Sequence, residues 1–222
     1  MSTTIETLLA PVPVVPVVVL DDARDAVPLA RALVAGGLPV IEVTLRTSAA
    51  PAAIERIAAD VPEAVVGAGT VTSGAQVALA GAAGARFLVS PGATPALLEA
   101  MGESGLPFLP GSATASDVVG LLEREIAFAK LFPAEAVGGV ATLRAFAGPF
   151  PEMRFCPTGG IDQARAPDYL ALPNVACVGG SWMVPAAAVQ ARNWPVVEAL
   201  ARGAARLRAP ADGLTAAAAT AR

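Results

Sequence analysis

Residues 23–47 read "ARDAVPLARALVAGGLPVIEVTLRT", in which a helical pattern ends at a glycine pair and an apolar run follows directly. The apolar residues before the glycines recur at helical spacing, and Gly commonly stands just beyond the end of a helix. In the run "PVIEVTL" (39–45), alternate side chains would point to opposite faces of a strand. We therefore take a strand that alternates with a helix as the unit from which this fold is built.

The same unit recurs along nearly the whole sequence. Seven further apolar runs alternate with alanine-rich stretches, and they lie at 13–20, 64–71, 85–90, 107–111, 126–132, 153–159 and 174–180. Eight strand–helix units of about 25 residues each fit a compact (β/α)8 barrel. A doubly wound open sheet is the alternative, but no GxGxxG follows the first run and the count reaches eight. We predict an α/β fold, a (β/α)8 TIM barrel with "TTIETLLA" (3–10) as an extra N-terminal helix at its bottom.

Length and composition predict a single domain. A chain of 222 residues, 55% of them hydrophobic, can form one barrel with a sizeable core. We assign residues 1–222 to this one domain and expect 210–222 to be a loose tail.

Charge and hydropathy restrict the partners. The net charge of −4 comes with no basic stripe, so a nucleic-acid partner is not expected. The run "PVPVVPVVVL" (11–20) is too short and too rich in proline to span a membrane, and no positive side chain precedes Arg24. We expect a cytoplasmic protein with no membrane partner.

The residues that usually bind metals are scarce in this chain. Histidine is absent, and the two cysteines, Cys156 and Cys177, do not form a CxxC motif. No zinc or haem site is therefore predicted, and one disulfide is the most that the chain could form.

The single lysine of the chain, Lys130, lies in the apolar run "IAFAKLF" (126–132). By alternation, Lys130 shares a strand face with Phe128 and Phe132, and we expect that face to point into the barrel. In the second run, Glu42, Thr44 and Arg46 share the face that would point inward, because the odd positions are apolar and suit the helix layer. Strands two and six lie across the barrel from each other, so the sequence predicts that Lys130 and Glu42 meet in one enclosed space.

Two interpretations of Lys130 remain open on the residues alone. Lys130 either forms a buried ion pair with Glu42 or acts as a nucleophilic amine that makes a Schiff base with a carbonyl substrate. The apolar walls from Phe128 and Phe132 and the charge of Arg46 would disfavour the ammonium form, whereas Glu42 would favour it. Glu42 is then either the proton shuttle of an imine mechanism or only the partner of Arg46.

Glycine pairs follow the seventh and eighth predicted strands, in "CPTGGID" (156–162) and "CVGGSWMVP" (177–185). The loops at these two strand ends often bind phosphate in (β/α)8 enzymes through their backbone N–H groups. The candidate residues are Gly159, Gly160, Gly179, Gly180 and Ser181, although a GG pair alone is usually only a turn. The stretch "VGAGTV" (66–71) lacks GK[ST], which argues against a nucleotide site.

Together these stretches resemble the 2-keto-3-deoxy-6-phosphogluconate (KDPG) aldolase family, class I aldolases that include 4-hydroxy-2-oxoglutarate (KHG) aldolases. The resemblance extends from "PVVPVVV" (13–19) to "GGSWMVP" (179–185) and includes "ALVAGG", "IEVTLRT", "VGAGTV", "SPG", "LFPAE" and "GPFPEMRFCPTGGI". One local departure is Ser112 and Ala113 in "FLPGSATASD" (108–117), where larger apolar residues are expected.

The resemblance implies a role for each matching residue. Lys130 would form the Schiff base and Glu42 would be the general acid and base. The implied substrate-binding residues are Arg46 and Thr70 at the pyruvoyl carboxylate, Pro91 and Phe132 around that pocket, Thr158 at the sugar-chain hydroxyls, and Gly159, Gly160, Gly179, Gly180 and Ser181 at the phosphate. The resemblance also implies a homotrimer that acts on a small phosphorylated keto acid and needs no metal or organic cofactor.

Two other functions are compatible with the glycine loops. A phosphate-binding barrel isomerase or epimerase would use Glu42 for proton abstraction but would leave Lys130 without a role. A non-catalytic binding protein for phosphorylated sugar acids would release no pyruvate. Within the aldolase hypothesis, the sequence does not distinguish gluconate, galactonate and hydroxyoxoglutarate substrates.

Overall fold

The computed structural model describes residues 4–207. The strands are β1 (Val14–Val18), β2 (Val40–Thr44), β3 (Val65–Gly69), β4 (Leu88–Val89), β5 (Phe108–Leu109), β6 (Gly111–Ser112), β7 (Phe128–Leu131), β8 (Arg154–Phe155) and β9 (Val178–Gly180). The helices are α1 (Ile5–Leu9), α2 (Ala26–Ala35), α3 (Ala50–Asp60), α4 (Gly74–Ala82), α5 (Pro95–Glu103), α6 (Ala115–Leu122), α7 (Gly139–Phe146), α8 (Ala166–Leu170), α9 (Ala186–Gln190) and α10 (Trp194–Ala205). The expected loose tail at 210–222 lies outside the described residues.

The strands form a closed parallel barrel in two sections. One sheet has the order β5-β4-β3-β2-β1-β9 and the other has the order β6-β7-β8. β5 and β6 are one strand interrupted at Pro110, whose carbonyl still accepts a hydrogen bond from the Lys130 N–H at 2.8 Å. Bridges between Phe155 and Val175 and between Thr158 and Gly179 join β8 to the last strand. The predicted (β/α)8 architecture is therefore confirmed.

Several strands are shorter than the apolar runs predicted. The fourth run covers 85–90 but β4 is only Leu88–Val89, and the seventh run covers 153–159 but β8 is only Arg154–Phe155. Pro91, Pro110 and Pro157 lie beside or within these ends. Proline cannot donate to a strand ladder, so it limits regular pairing where the loops at the mouth begin.

The two faces of the strands separate into two cores. Val40 and Phe128 belong to the apolar cluster inside the barrel, whereas Ile41, Val43 and Ala129 belong to the larger cluster under the helices. The alternation predicted for the second and sixth runs is therefore correct. It leaves Glu42 and Lys130 on the inward face.

Helix α1 closes the N-terminal end of the barrel, as predicted. Thr4 caps it in a capping box with Thr7, and the helix delivers Leu9 into the interior cluster. Leu9 is 1% exposed. Because apolar side chains fill this end, polar groups inside the barrel face the opposite, C-terminal mouth. Among residues 4–207, no helix is long and apolar enough to cross a membrane.

Candidate active site

Lys130 and Glu42 meet inside the barrel. Lys130 lies on β7 and Glu42 on β2, and Lys130 Nζ is 3.1 Å from Glu42 Oε1 and 3.4 Å from Oε2. The two residues are 5% and 3% exposed. A charge-assisted contact of this kind compensates partly for the loss of water around both groups. The arrangement places an amine and a carboxyl group where a carbonyl compound entering the mouth could reach both.

Gly69 makes room for the Glu42 carboxyl group. It ends β3, where it pairs with Thr44 of the neighbouring strand. A Cβ atom at position 69 would lie 2.7 Å from Glu42 Cδ, which is closer than real side-chain carbons approach. Sequence reasoning did not assign Gly69 to the site. The sequence shows it only as a glycine in "VGAGTV", and its closeness to Glu42 depends on how β2 and β3 are paired.

Thr70 adopts a strained backbone conformation at the mouth. Its φ is +58°, in the left-handed region that a β-branched residue rarely occupies. Such a conformation costs about 1–3 kcal/mol and is concentrated at functional sites. Thr70 follows Gly69 directly and is half-buried. The strained residue stands where β3 ends and its loop begins.

Phe132 and Pro91 lie on the loops that follow β7 and β4. The Phe132 ring centroid is 5.3 Å from Lys130 Nζ, within the range of a cation–π contact. Pro91 is half-buried, and a Cβ at Gly111 would overlap its backbone. Gly111 pairs directly with Lys130 in the β6–β7 ladder. The close approach at Gly111 therefore holds the Pro91 loop beside the strand that carries the lysine.

Arg46 lies differently from the sequence prediction. β2 ends at Thr44, so Arg46 falls in the following turn and is exposed rather than on the inward strand face. Thr44 is buried, but its hydroxyl donates to the Val18 carbonyl at 3.0 Å. No ion pair within residues 4–207 includes Arg46, whereas Glu42 pairs with Lys130. The interpretation of Glu42 as a partner of Arg46 alone is therefore wrong.

The first glycine pair forms an open turn beside Thr158. Gly159 has a φ of +105° and Gly160 a φ of +80°, conformations that favour glycine. The Gly159 N–H faces the Gly179 carbonyl in the bridge between Thr158 and Gly179, whereas the Gly160 N–H donates to no residue in the part of the chain that the structure describes. Thr158 is 6% exposed and precedes this turn. An N–H group without an internal partner, at a turn of two glycines, is available to an anion.

The second glycine pair is required by close side-chain packing. Gly179 lies against the Thr158 side chain, where an added Cβ would be 3.0 Å from Thr158 Cγ2. A Cβ at Gly180 would overlap the Trp182 ring. Ser181 follows β9 and is exposed. Gly179 therefore allows β9 to approach Thr158 in the segment after β8, Gly180 makes room for the Trp182 ring, and Ser181 stands directly after β9.

The structure also describes the groups that could bind a metal. Among residues 4–207, no cluster of three or more His, Cys, Asp or Glu side chains is arranged for a metal ion. Cys156 and Cys177 are both buried in the interior cluster.

Comparisons with known proteins identify close relatives. The family model described as "Aldolase: KDPG and KHG aldolase" matches residues 5–200. The 2-dehydro-3-deoxy-phosphogluconate aldolase of Dickeya dadantii is 52% identical over 203 residues, which cover 91% of this chain and 95% of that protein. The KHG/KDPG aldolase of Escherichia coli K12 is also 52% identical, with the same coverage.

Two solved structures have the same fold throughout. KDPG aldolase from Legionella pneumophila, with pyruvate captured as a covalent carbinolamine intermediate, has a TM-score of 0.90 and 45% identity, and the match covers 92% of this chain and 100% of that chain. The Zymomonas mobilis ZM4 KDPG aldolase with 3-phosphoglycerate has a TM-score of 0.89 and 44% identity over 95% of this chain and 99% of that chain.

Proposed function

The chain belongs to the KDPG and KHG aldolase family, and we propose that it cleaves 2-dehydro-3-deoxy-6-phosphogluconate to pyruvate and glyceraldehyde 3-phosphate through a Schiff base on Lys130. One observation carries this proposal. The only lysine of the chain is buried inside the barrel with its Nζ 3.1 Å from a buried carboxyl group. A carbinolamine with pyruvate in the Legionella aldolase supports the same chemistry here.

Schiff-base formation uses Lys130 and Glu42 together. The unprotonated amine attacks the C2 ketone, a C–N bond forms, and the ketone oxygen becomes the hydroxyl of a carbinolamine. Glu42, in contact with Nζ, accepts the proton that the amine loses and returns one to the departing water. The product is a protonated imine, which can accept an electron pair from the neighbouring carbon–carbon bond.

Carbon–carbon cleavage follows from that imine. Glu42, directly or through a water molecule, removes the proton of the C4 hydroxyl. The C3–C4 bond breaks, its electron pair forms an enamine, and C4 leaves as the aldehyde carbon of glyceraldehyde 3-phosphate. The enamine is protonated at C3 and hydrolysed, which releases pyruvate and regenerates the amine.

The mouth of the barrel positions the substrate. Arg46, in the turn after β2, and the strained Thr70 would bind the pyruvoyl carboxylate, with Pro91 and Phe132 as the walls of that pocket. Thr158 would contact the chain hydroxyls. The phosphate would be bound by the backbone of Gly159, Gly160, Gly179 and Gly180 and by Ser181. The unused N–H group of Gly160 supports this assignment.

We further propose that the enzyme also cleaves 4-hydroxy-2-oxoglutarate to pyruvate and glyoxylate. The name of the Escherichia coli relative includes this substrate, and the reacting carbons of the two compounds are arranged alike. A cytoplasmic homotrimer is also proposed. It rests on the family resemblance and has its own test.

Pyruvate release measures the proposed function directly. Purified protein should form pyruvate from the phosphorylated gluconate derivative, and the galactonate epimer and 4-hydroxy-2-oxoglutarate should be compared at equal concentrations. Lys130→Met is the matched control, because it keeps an unbranched side chain that is only one atom shorter and removes the amine. An isomerase would convert the substrate without releasing pyruvate, and a binding protein would leave it intact. Either result would contradict the proposal.

A further inference from the structure

Glu135 begins a short 3-10 helix (Glu135–Val137) after the lysine strand, but the mechanism above does not use it. Its carboxylate accepts a hydrogen bond from the Tyr169 hydroxyl on α8, and its Oε2 lies 3.5 Å from Arg165 Nε. Tyr169 is 1% exposed. Burial, together with the hydrogen bond to the Glu135 carboxylate, raises the pKa of Tyr169, so its hydroxyl remains a donor across the physiological range.

The same residues hold the turn formed by Gly159 and Gly160. The Glu135 N–H donates to the Gly159 carbonyl at 3.1 Å, and Arg165 Nη1 donates to the Gly160 carbonyl at 3.2 Å. Arg165 Nη1 also donates to Asp162 Oδ2 at 3.0 Å. Both carbonyls of the glycine pair are therefore engaged. The bond from Glu135 fixes the peptide group that carries the Gly160 N–H, and the bond from Arg165 fixes the next peptide group, which carries the Ile161 N–H.

The Glu135 side chain lies directly against the turn. A Cβ atom at Gly160 would be 2.6 Å from Glu135 Cγ, so this contact exists only with glycine. A carboxylate at this point would repel a phosphate group if it touched one. Its charge is instead directed to Arg165 and Tyr169, on the loop and helix that follow the turn. A favourable effect of Glu135 on a bound phosphate therefore has to come through the backbone it supports.

We propose that Glu135 is a positioning residue for the phosphate of the substrate. Its N–H on the Gly159 carbonyl and its carboxylate, which contacts Arg165 and Tyr169, keep the Gly160 N–H group oriented for binding. This inference rests on the proposed function, because it assigns the turn to the phosphate end of the same substrate. It predicts that Glu135 matters for the phosphorylated end and not for the bonds made at Lys130. The residue would therefore contribute to the preference for phosphorylated substrates.

Two substitutions weaken this arrangement with little change in shape. Glu135→Gln removes the charge that pairs with Arg165, and Tyr169→Phe removes the hydroxyl that donates to Glu135. Glu198→Gln is the matched control, because Glu198 also pairs with an arginine, Arg202, but lies on α10 away from the turn. All three keep the size of the side chain nearly constant.

The test compares a phosphorylated with a phosphate-free ligand. In Glu135→Gln and Tyr169→Phe, KM for the phosphorylated gluconate derivative should rise about tenfold, the scale of one lost charge-assisted contact, with kcat within about twofold of wild type. The pyruvate concentration that gives half-maximal borohydride trapping should stay within about twofold of wild type. Glu198→Gln should change neither quantity.

Any other outcome contradicts a specific part of the proposal. An unchanged KM, or an equal rise in KM and in the half-saturating pyruvate concentration, would overturn the role of Glu135 in phosphate positioning. A fall in kcat with KM constant would overturn it too, since the residue would then act at the reacting bonds. Absence of a pyruvate adduct in the wild-type protein would instead count against the aldolase chemistry itself, so the two failures are distinguishable.

Discussion

Burying Lys130 and Glu42 costs folding free energy, and that cost indicates that the pair has a role other than stability. Removing water from two charged groups costs several kcal/mol per ion, and an apolar pair of similar volume often stabilises a core as well. Apolar side chains surround the pair inside the barrel. Phe128 belongs to the interior cluster, and the Phe132 ring lies near Lys130 Nζ. Stability alone does not require this pair, whereas imine chemistry requires both groups.

Replacement of Glu42 by glutamine tests its role in proton transfer. Glutamine keeps the size of the side chain but can neither accept the proton of the amine nor return one to the leaving water. We expect kcat for pyruvate release to fall about a hundredfold or more, the usual scale of general acid–base catalysis. A thermal melt checks that the variant is folded. Turnover close to wild type would remove Glu42 from the mechanism.

Gly69→Ala tests the space that Glu42 occupies. The added methyl would lie 2.7 Å from Glu42 Cδ, so the carboxyl group must shift from the position in which it contacts Lys130 Nζ. We expect at least about a tenfold loss of kcat, since small displacements of catalytic groups have large effects on rate. Gly120→Ala on α6 is the control, because no atom lies within 4 Å of its added carbon. Equal activity of both variants would contradict the fit described at Gly69.

At the residue scale, the sequence predicted the lysine and its facing acid but not their surroundings. Alternation along two strands was enough to place Lys130 and Glu42 on inward faces. Gly69 and Glu135 could not be found in this way, because their importance depends on which atoms of distant segments they meet. Arg46 was misplaced because the apolar pattern does not show that β2 ends two residues earlier.

Three helices that follow strands at the mouth, α4, α5 and α6, begin with side-chain caps. Ser73 caps α4 and Thr94 caps α5, while Thr114 and Asp117 form a capping box at the start of α6. Each cap satisfies N–H groups that the first helical turn leaves without partners. These hydrogen bonds tie the ends of the loops that precede α4, α5 and α6 to the first turn of each helix.

Asp117→Ala tests the capping box and its dependence on pH. Burial raises the pKa of Asp117, but hydrogen bonds from the Ala113 and Thr114 N–H groups, each 2.9 Å, outweigh burial and lower it overall. The stabilisation is therefore present above the ordinary aspartate pKa of 3.8 and is lost as the pH falls through the lower folded-state value.

At neutral pH, we expect Asp117→Ala to lower the free energy of unfolding by about 0.5–1 kcal/mol, since the carboxylate is largely hydrated. Urea unfolding at neutral and at strongly acidic pH measures this difference. Ser116→Ala, an exposed neighbour on the same helix, is the control. A difference that persists unchanged in acid would show that the charge of Asp117 is not its source.

At the element scale, the order and type of the elements were predictable, whereas their ends were not. The alternation of apolar runs with helical patterns predicted the barrel, and the stretch "TTIETLLA" (3–10) predicted the N-terminal helix. The break at Pro110 divides a predicted strand into β5 and β6, because proline cannot donate to the ladder. The parallel pairing of Gly111 with Lys130 continues beyond this break.

The whole molecule is a cylinder closed at one end and open at the other. Helix α1 fills the N-terminal end with Leu9, and the charged pair lies among the strands above it. The strand ends at the opposite mouth carry Thr70, Thr158 and the glycine turns. Because only one end of the barrel is open, a chain with 55% hydrophobic residues has its candidate chemistry at that end.

The proposed homotrimer is a property of the whole molecule. Sedimentation velocity at micromolar concentration should give a single species with three times the 22.1 kDa mass of the chain. We expect this species to persist when Lys130 is replaced by methionine, because the lysine is enclosed within one barrel. A species with the mass of one chain or of two would contradict the trimer and would leave the chemistry at Lys130 unaffected.

Trapping with pyruvate and borohydride, followed by peptide mass mapping, is the most direct test of the central claim. Reduction converts an imine between pyruvate and an amine into a stable adduct, and the chain has a single lysine side chain at which this can form. We predict one adduct per chain, on the peptide that contains Lys130, with simultaneous loss of pyruvate release. An unmodified Lys130 in enzyme that was active before reduction would contradict the Schiff-base mechanism.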